Sequence, residues 1–278
     1  MCLWCKALVR DYNLAGVNFR INADFDFVEN EISDNFATQF SVPDITVNIK
    51  LGDIPEFDNP IVENEWYSIY QNEKNEKIRI SFHLTKQNRC FFARYTDFGA
   101  DCICNKDLSD GLRDIYRFWN MFGYDELLYR KNRICIHACM IEYNNEAILF
   151  CGNSGIGKST QGELWKNYEN AVIINGDRSI LHIQNDIVVA SSAPICGSSG
   201  ICINKTLPVK AIVILGRSSE NHIERLNGFN ALCRLLENIP VGVKATEECI
   251  KICSAVPIYK LDCTPDETAV NTLKDVIY

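Results

Sequence analysis

The chain has 278 residues, 47% hydrophobic and 23% charged, long enough for one large domain or two modest ones around a sizeable core. Its net charge of −8 comes from 36 acids against 28 lysines and arginines, without a basic block. That balance argues against a nucleic-acid footprint and disfavours an anionic membrane surface. No apolar run approaches the roughly 18 residues that span a bilayer, and the N-terminal MCLWCKALVRDYNLAG lacks a signal-peptide core and cleavage site.

A cytoplasmic protein is therefore expected. Its fourteen cysteines read as reduced, buried thiols, since a chain this long and apolar needs no disulfide frame. Cys2 and Cys5 form the one CxxC. Cys102 and Cys104 form C-x-C, Cys249 and Cys253 form C-x-x-x-C, and no second CxxC completes a zinc ribbon.

In chain order, VNFRIN, ITVNIKL, KIRISFHL and CFFARYT read as strands from their β-branched and aromatic content. SDGLRDIYRFWNMFGYDELLY has helical spacing, with Leu112, Ile115, Tyr116 and Trp119 on one face and Ser109 or Asp110 as cap. RICIHACMIEY, Asn144-Asn145 and EAILFCG read as strand, turn and strand. A helix through GKSTQGELWKNY follows, then a short buried strand, AVIIN. SILHIQ and IVVASS form a hairpin around Asn185-Asp186, and VKAIVILG is a further strand. Helices are expected over NGFNALCRLLENI and from about Ala245 to Cys253, then a strand PIYKLDC and a helix PDETAVNTLKDVIY. The simplest partition is a mainly β region over 1–125 and an α/β nucleotide-binding domain over 126–278.

Gly152, Asn153, Ser154, Gly155, Ile156, Gly157, Lys158 and Ser159, with Thr160 beside them, satisfy G-x-x-x-x-G-K-[ST], the phosphate-cradling P-loop. Glycines let successive N–H groups point inward around phosphate oxygens, and the helix that follows aims its positive end at the same place. Lys158 would bridge β- and γ-phosphates, and the Ser159 hydroxyl would ligate Mg²⁺. The carboxylate such a site needs is Asp177, just past AVIIN. It would hold Mg²⁺ and, in a phosphotransferase, accept a hydroxyl proton. The competing reading of Asn-Gly-Asp is a plain turn. His137, in the apolar run before the loop, is a core residue unless its strand lies beside the loop strand, where it could act electrostatically or in proton transfer.

IHACMIEYNNEAILFCGNSGIGKST, INGDRSI, SSAPICGSSG, LPVKAIVILGRSSENHIERL and VPIYKLDCTPDETAV together resemble the HPr kinase/phosphorylase-like P-loop family, more distantly ATP-dependent phosphoenolpyruvate carboxykinase. The resemblance spans about residues 130 to 275; residues 1 to about 125 show none. It implies an α+β or α/β P-loop catalytic domain behind a smaller mainly β region. It also implies Mg²⁺-dependent transfer of phosphate from ATP to a hydroxyl, typically a serine, with His137 as the family's active-site histidine. Asp177 matches one of two adjacent aspartates in that family; here the first is replaced by Gly176. The PICGSSG loop, placed where the family closes over its acceptor, lacks the signature glutamate. HPr as substrate and phosphorylase activity therefore lose their basis, and a serine of a peptide or a small hydroxylated metabolite becomes the expected acceptor.

No guanine-specifying Asn-Lys-x-Asp follows, because Asn204-Lys205 continues with Thr206-Leu207. A carboxykinase would be longer and would need an arginine set for a dicarboxylate. The non-enzymatic alternative is a nucleotide-binding sensor or a peptide-maturation accessory, with the N-terminal β region taking a peptide at a strand edge. Arg178, Arg217 and Arg225 are basic residues without an assigned place, and self-association into a homo-oligomer is left open.

Overall fold

Short alternating runs in the first half of the chain, and one nearly unbroken apolar run in the second, shape two different sheets. The computed structural model describes residues 8–28, 30–83, 85–108, 114–240 and 245–278; Cys2, Cys5, Leu84, Ser109, Asp110 and Leu112 lie outside these. The chain divides into two units, residues 1–131 and 132–278.

The first unit carries β1 (Leu8–Leu14), β2 (Val17–Ala23), β3 (Ile45–Gly52), β4 (Val62–Glu63), β5 (Tyr67–Gln71), β6 (Lys77–His83), β7 (Thr85–Thr96) and β8 (Gly99–Asn105). They form one sheet in the order β1-β2-β3-β8-β7-β6-β5-β4. β2 shows the strict in-out burial of a strand with one face on the core. After the four-residue helix α1 (Glu31–Asp34), the expected single helix over 109–129 proves to be two among the described residues: α2 (Ile115–Phe122) and α3 (Asp125–Tyr129). Gly123 separates them in the left-handed region at φ 67°, where an added Cβ would lie 2.6 Å from the Tyr95 hydroxyl, so only glycine fits the break. Asp114 caps α2 by accepting from the Tyr116 N–H. Its core face is Ile115, Phe118, Trp119 and Phe122. Tyr116 is half-buried beside it, so Ile115 and Trp119 of the expected face lie in the core and Phe118 and Phe122 complete it.

The second unit holds β9 (Ile134–Tyr143), β10 (Glu146–Cys151), β11 (Val172–Asn175), β12 (Arg178–Gln184), β13 (Ile187–Ser192), β14 (Thr206–Arg217), β15 (His222–Leu226) and β16 (Ile258–Cys263). Its helices are α4 (Lys158–Glu169), α5 (Gly228–Leu236), α6 (Thr246–Ala255) and α7 (Glu267–Ile277). The order is β10-β9-β12-β13-β14-β16-β15; β11 also joins β9, and β10 runs parallel to β14. The pairings β9-β12-β13-β14-β10 thus return to β9. Both hairpin turns expected at Asn144-Asn145 and Asn185-Asp186 have positive φ at both residues, the geometry that matches strand twist.

β9 and β10 are buried on both faces, which explains their continuous apolar runs. Trp165 of α4 is fully buried in a core with Cys139, Ile141, Phe150, Val213 and Leu273. Gly162 lets α4 approach β9, since a Cβ there would meet the Cys139 sulfur at 2.9 Å. The cysteines of the described residues are free, and most are buried. Burial pushes the thiols of Cys139 and Cys151 up to about 12. No helix of the described residues is long and apolar enough to cross a membrane.

Candidate functional site

The strand order brings three separated sequence features into one row. Cys151, the last residue of β10, pairs with Ala138 of β9. Ala138 in turn donates its N–H to the Asp177 carbonyl at 3.0 Å. The glycine-rich loop starts at one end of this row, Asp177 sits at the other, and His137 stands between them. β9 runs beside the loop strand β10, the arrangement in which His137 could act near the loop.

His137 Nε2 lies 3.1 Å from Asp177 Oδ1, and Arg178 Nε lies 3.4 Å from Asp177 Oδ2. Burial alone would raise the Asp177 pKa. The hydrogen bond from His137 and the charges of Arg178, His137 and Lys158 outweigh it and hold the carboxyl below the ordinary aspartate value. Asp177 therefore stays ionised at neutral pH while half-withdrawn from water.

Gly152 to Gly157 connect β10 to α4, whose first residue is Lys158. Gly152, Gly155 and Gly157 all have positive φ. A Cβ at Gly155 or Gly157 would meet nothing within 4 Å, so the loop opens onto free space. Lys158 is 7% exposed, and its Nζ donates to the Gly152 and Asn153 carbonyls at 2.9 and 3.2 Å. Burial pulls its ammonium below the ordinary lysine value, and the charge of Asp177 pushes back. Loop and carboxylate thus sense each other electrostatically. Asn153, Ser154, Ser159 and Thr160 are exposed, and Ile156 packs against the core.

Two asparagines build this arrangement and were not singled out by the sequence. Asn175 is fully buried. Its Oδ1 accepts from the Asp177 and Arg178 N–H groups at 2.9 Å each, while its amide donates to the Ser192 hydroxyl and the Ala193 carbonyl. Asn238 follows α5: its Oδ1 accepts from the Gly152 N–H at 2.8 Å, and its carbonyl accepts from the His137 N–H at 2.8 Å. One residue, through its side chain and its backbone carbonyl, so ties the first loop residue to the histidine strand. Asn238→Ala would leave the half-buried Gly152 N–H without its side-chain partner, and we expect a loss of about 1 kcal/mol, read as a lower urea midpoint.

The Cys196–Gly200 stretch packs on the aspartate turn. A Cβ at Gly176 would fall 2.0 Å from the Ser199 hydroxyl oxygen, and one at Gly197 would fall 3.0 Å from the Asp177 Cβ. Ser199 is anchored by donating to the Cys196 carbonyl at 2.6 Å. The position before Asp177 therefore has no room for a second carboxylate.

Of the unassigned arginines, Arg178 flanks Asp177 and Arg217 donates through Nη2 to the Gly155 carbonyl. Arg225 lies on the edge strand β15. Arg217 also lines a cavity of about 330 Å³ beside the loop, together with Gly157, Thr160, Gln161, Gly216 and Thr264. Gln161 is 2% exposed, and its Oε1 has no partner, so the cavity wall holds a buried acceptor. No group of three or more His, Cys, Asp or Glu among the described residues could hold a metal ion. Ser159, in the first turn of α4, and Asp177, between β11 and β12, carry a hydroxyl and a carboxylate, donor types that Mg²⁺ takes beside waters and substrate phosphates.

No family model matches the chain, and no curated protein matches it. Among solved structures, it is similar to the Hpr(Ser) kinase/phosphatase from Coxiella burnetii. The match has 13% sequence identity and a TM-score of 0.32, over 51% of this chain and 94% of that one.

Proposed function

We propose that the chain is an ATP- and Mg²⁺-dependent phosphotransferase whose acceptor is a hydroxyl, either a serine of a peptide or protein or a hydroxylated metabolite. The observation that carries this reading is the row that sets an ionised, half-buried Asp177, held by His137, beside an open glycine-rich loop whose Lys158 senses its charge. A turn-forming aspartate would need neither partner.

In this reading the loop N–H groups and Lys158 hold the β- and γ-phosphates of ATP. The cavity bordered by Gln161, Arg217 and Thr264 takes the nucleoside. Ser159 and Asp177 would hold Mg²⁺, which would supply positive charge against the phosphate oxygens. The acceptor oxygen forms the new bond to the γ-phosphorus and gives its proton to Asp177. The bond from the γ-phosphorus to its bridging oxygen breaks, and ADP leaves with the electron pair. His137 keeps the Asp177 oxygen aimed, and Arg178 balances its charge.

The test is transfer of label from γ-labelled ATP, with Mg²⁺, to seryl peptides and hydroxylated metabolites. Label in an acceptor supports the reading. Saturable ATP binding with no label transferred to any acceptor would overturn it in favour of the nucleotide sensor.

A further inference from the structure

A second cavity, of about 200 Å³, opens where β9 begins. It lies between the β9–β12 ladder and α6: Ile134 pairs with Leu181 there, and further along the same ladder His137 pairs with Arg178. Its wall combines five polar side chains, Asn132, Arg133, His182, Glu248 and Lys251, with apolar residues that include Ile134 and Ile252.

Two of those side chains each hold one buried atom without a partner. His182 is 5% exposed, yet its Nδ1 makes no hydrogen bond; Oε2 of Glu248 is also buried and unpartnered. Burial, reinforced by the charge of Arg133, lowers the His182 pKa to about 4, so the ring is neutral at physiological pH. Native proteins rarely leave buried polar atoms unsatisfied, because each has given up its hydrogen bonds to water without replacement, and the cost is greatest for a charged group. Such atoms mark a place where something else supplies the hydrogen bonds.

The charges state what that something carries. A buried carboxylate oxygen calls for a cationic donor. Arg133 and Lys251 line the same cavity and give it charge complementary to an anion. Ile134 and Ile252, 2% and 1% exposed, offer an apolar wall. We propose that this cavity is a binding site for a free α-amino acid with an aliphatic side chain, its ammonium on Glu248, its carboxylate on Arg133 and Lys251, and its side chain on the isoleucines. The site is separate from the glycine-rich loop and stands whether or not the chain transfers phosphate.

Calorimetric titration of the full chain tests this with three probes: L-leucine, 4-methylpentanoate, which lacks the ammonium, and 3-methylbutylamine, which lacks the carboxylate. Leucine should bind saturably, and each truncated probe at least about tenfold more weakly, as expected for losing one charge-assisted contact. Glu248→Gln should weaken leucine at least about tenfold while leaving 4-methylpentanoate unchanged. Lys251→Ala, at an exposed position, should weaken leucine and 4-methylpentanoate alike and serves if Glu248→Gln does not fold. No saturable heat with leucine at millimolar concentration, equal binding of 4-methylpentanoate, or leucine affinity unchanged by the variant that folds would each overturn the proposal.

Discussion

Lys158→Ala should abolish phosphate transfer, with kcat/KM falling by about 10³-fold or more, because it removes the one buried cation at the mouth of the loop. In the structure its Nζ is held by two loop carbonyls, those of Gly152 and Asn153. These contacts keep it extended beneath an open loop, so little ordering is left for the moment of binding. The substitution should also weaken nucleotide binding, read by calorimetry. Lys158→Arg should rescue little, since a planar fork cannot reproduce a compact ammonium in a buried slot. Transfer within about tenfold of the unsubstituted protein would remove Lys158 from the reaction.

Asp177→Asn should cost about 10²–10⁴ in kcat while nucleotide affinity falls far less than in Lys158→Ala. The amide keeps the shape but cannot take the acceptor's proton, and it no longer offers His137 an anion. Transfer that survives Asp177→Asn unchanged would overturn the mechanism. His137→Gln should lower kcat by less and leave nucleotide affinity near normal; an unchanged rate would return His137 to a packing role.

The pH dependence has a definite sign. The folded carboxyl releases its proton more readily than an ordinary aspartate. Its contribution to stability is therefore present above the ordinary value of 3.8 and is lost as pH falls through the lower folded value. Asp177→Asn should flatten that acid limb of the unfolding curve, and the base should stay ionised through the mildly acidic range.

The features that could be read from the sequence were those with local physical signatures. β9, β10 and the glycine-rich loop announce themselves because a strand buried on both faces must be apolar throughout, and a phosphate-cradling loop must be rich in glycine. Asp177 stood out by following a buried strand. Strands such as β1, β5, β8 and β15 did not, because HIERL or GADCIC mix charge with apolar residues as partly exposed strands do. The helix over 109–129 was read through Gly123, although glycine in the left-handed region is what ends α2. Asn238 and Asn175 left no signal: a lone asparagine near a helix end or strand end is common, and only the tertiary pairing turns it into a strut. The clash that keeps Gly176 bare depends on Ser199 from a distant loop, and no spacing rule reports that.

The buried thiols give the second unit an internal clock. Only a thiolate attacks electrophiles and oxidants, and the sulfurs of Cys139 and Cys151, at the ladder beneath the glycine-rich loop, have pKa values near 12 and no route to solvent. Their modification must wait for a local opening of this core, such as α4 lifting from β9, where Gly162 covers the Cys139 sulfur. The rate at which they react with an alkylating reagent thus measures how often the core behind the candidate site breathes open.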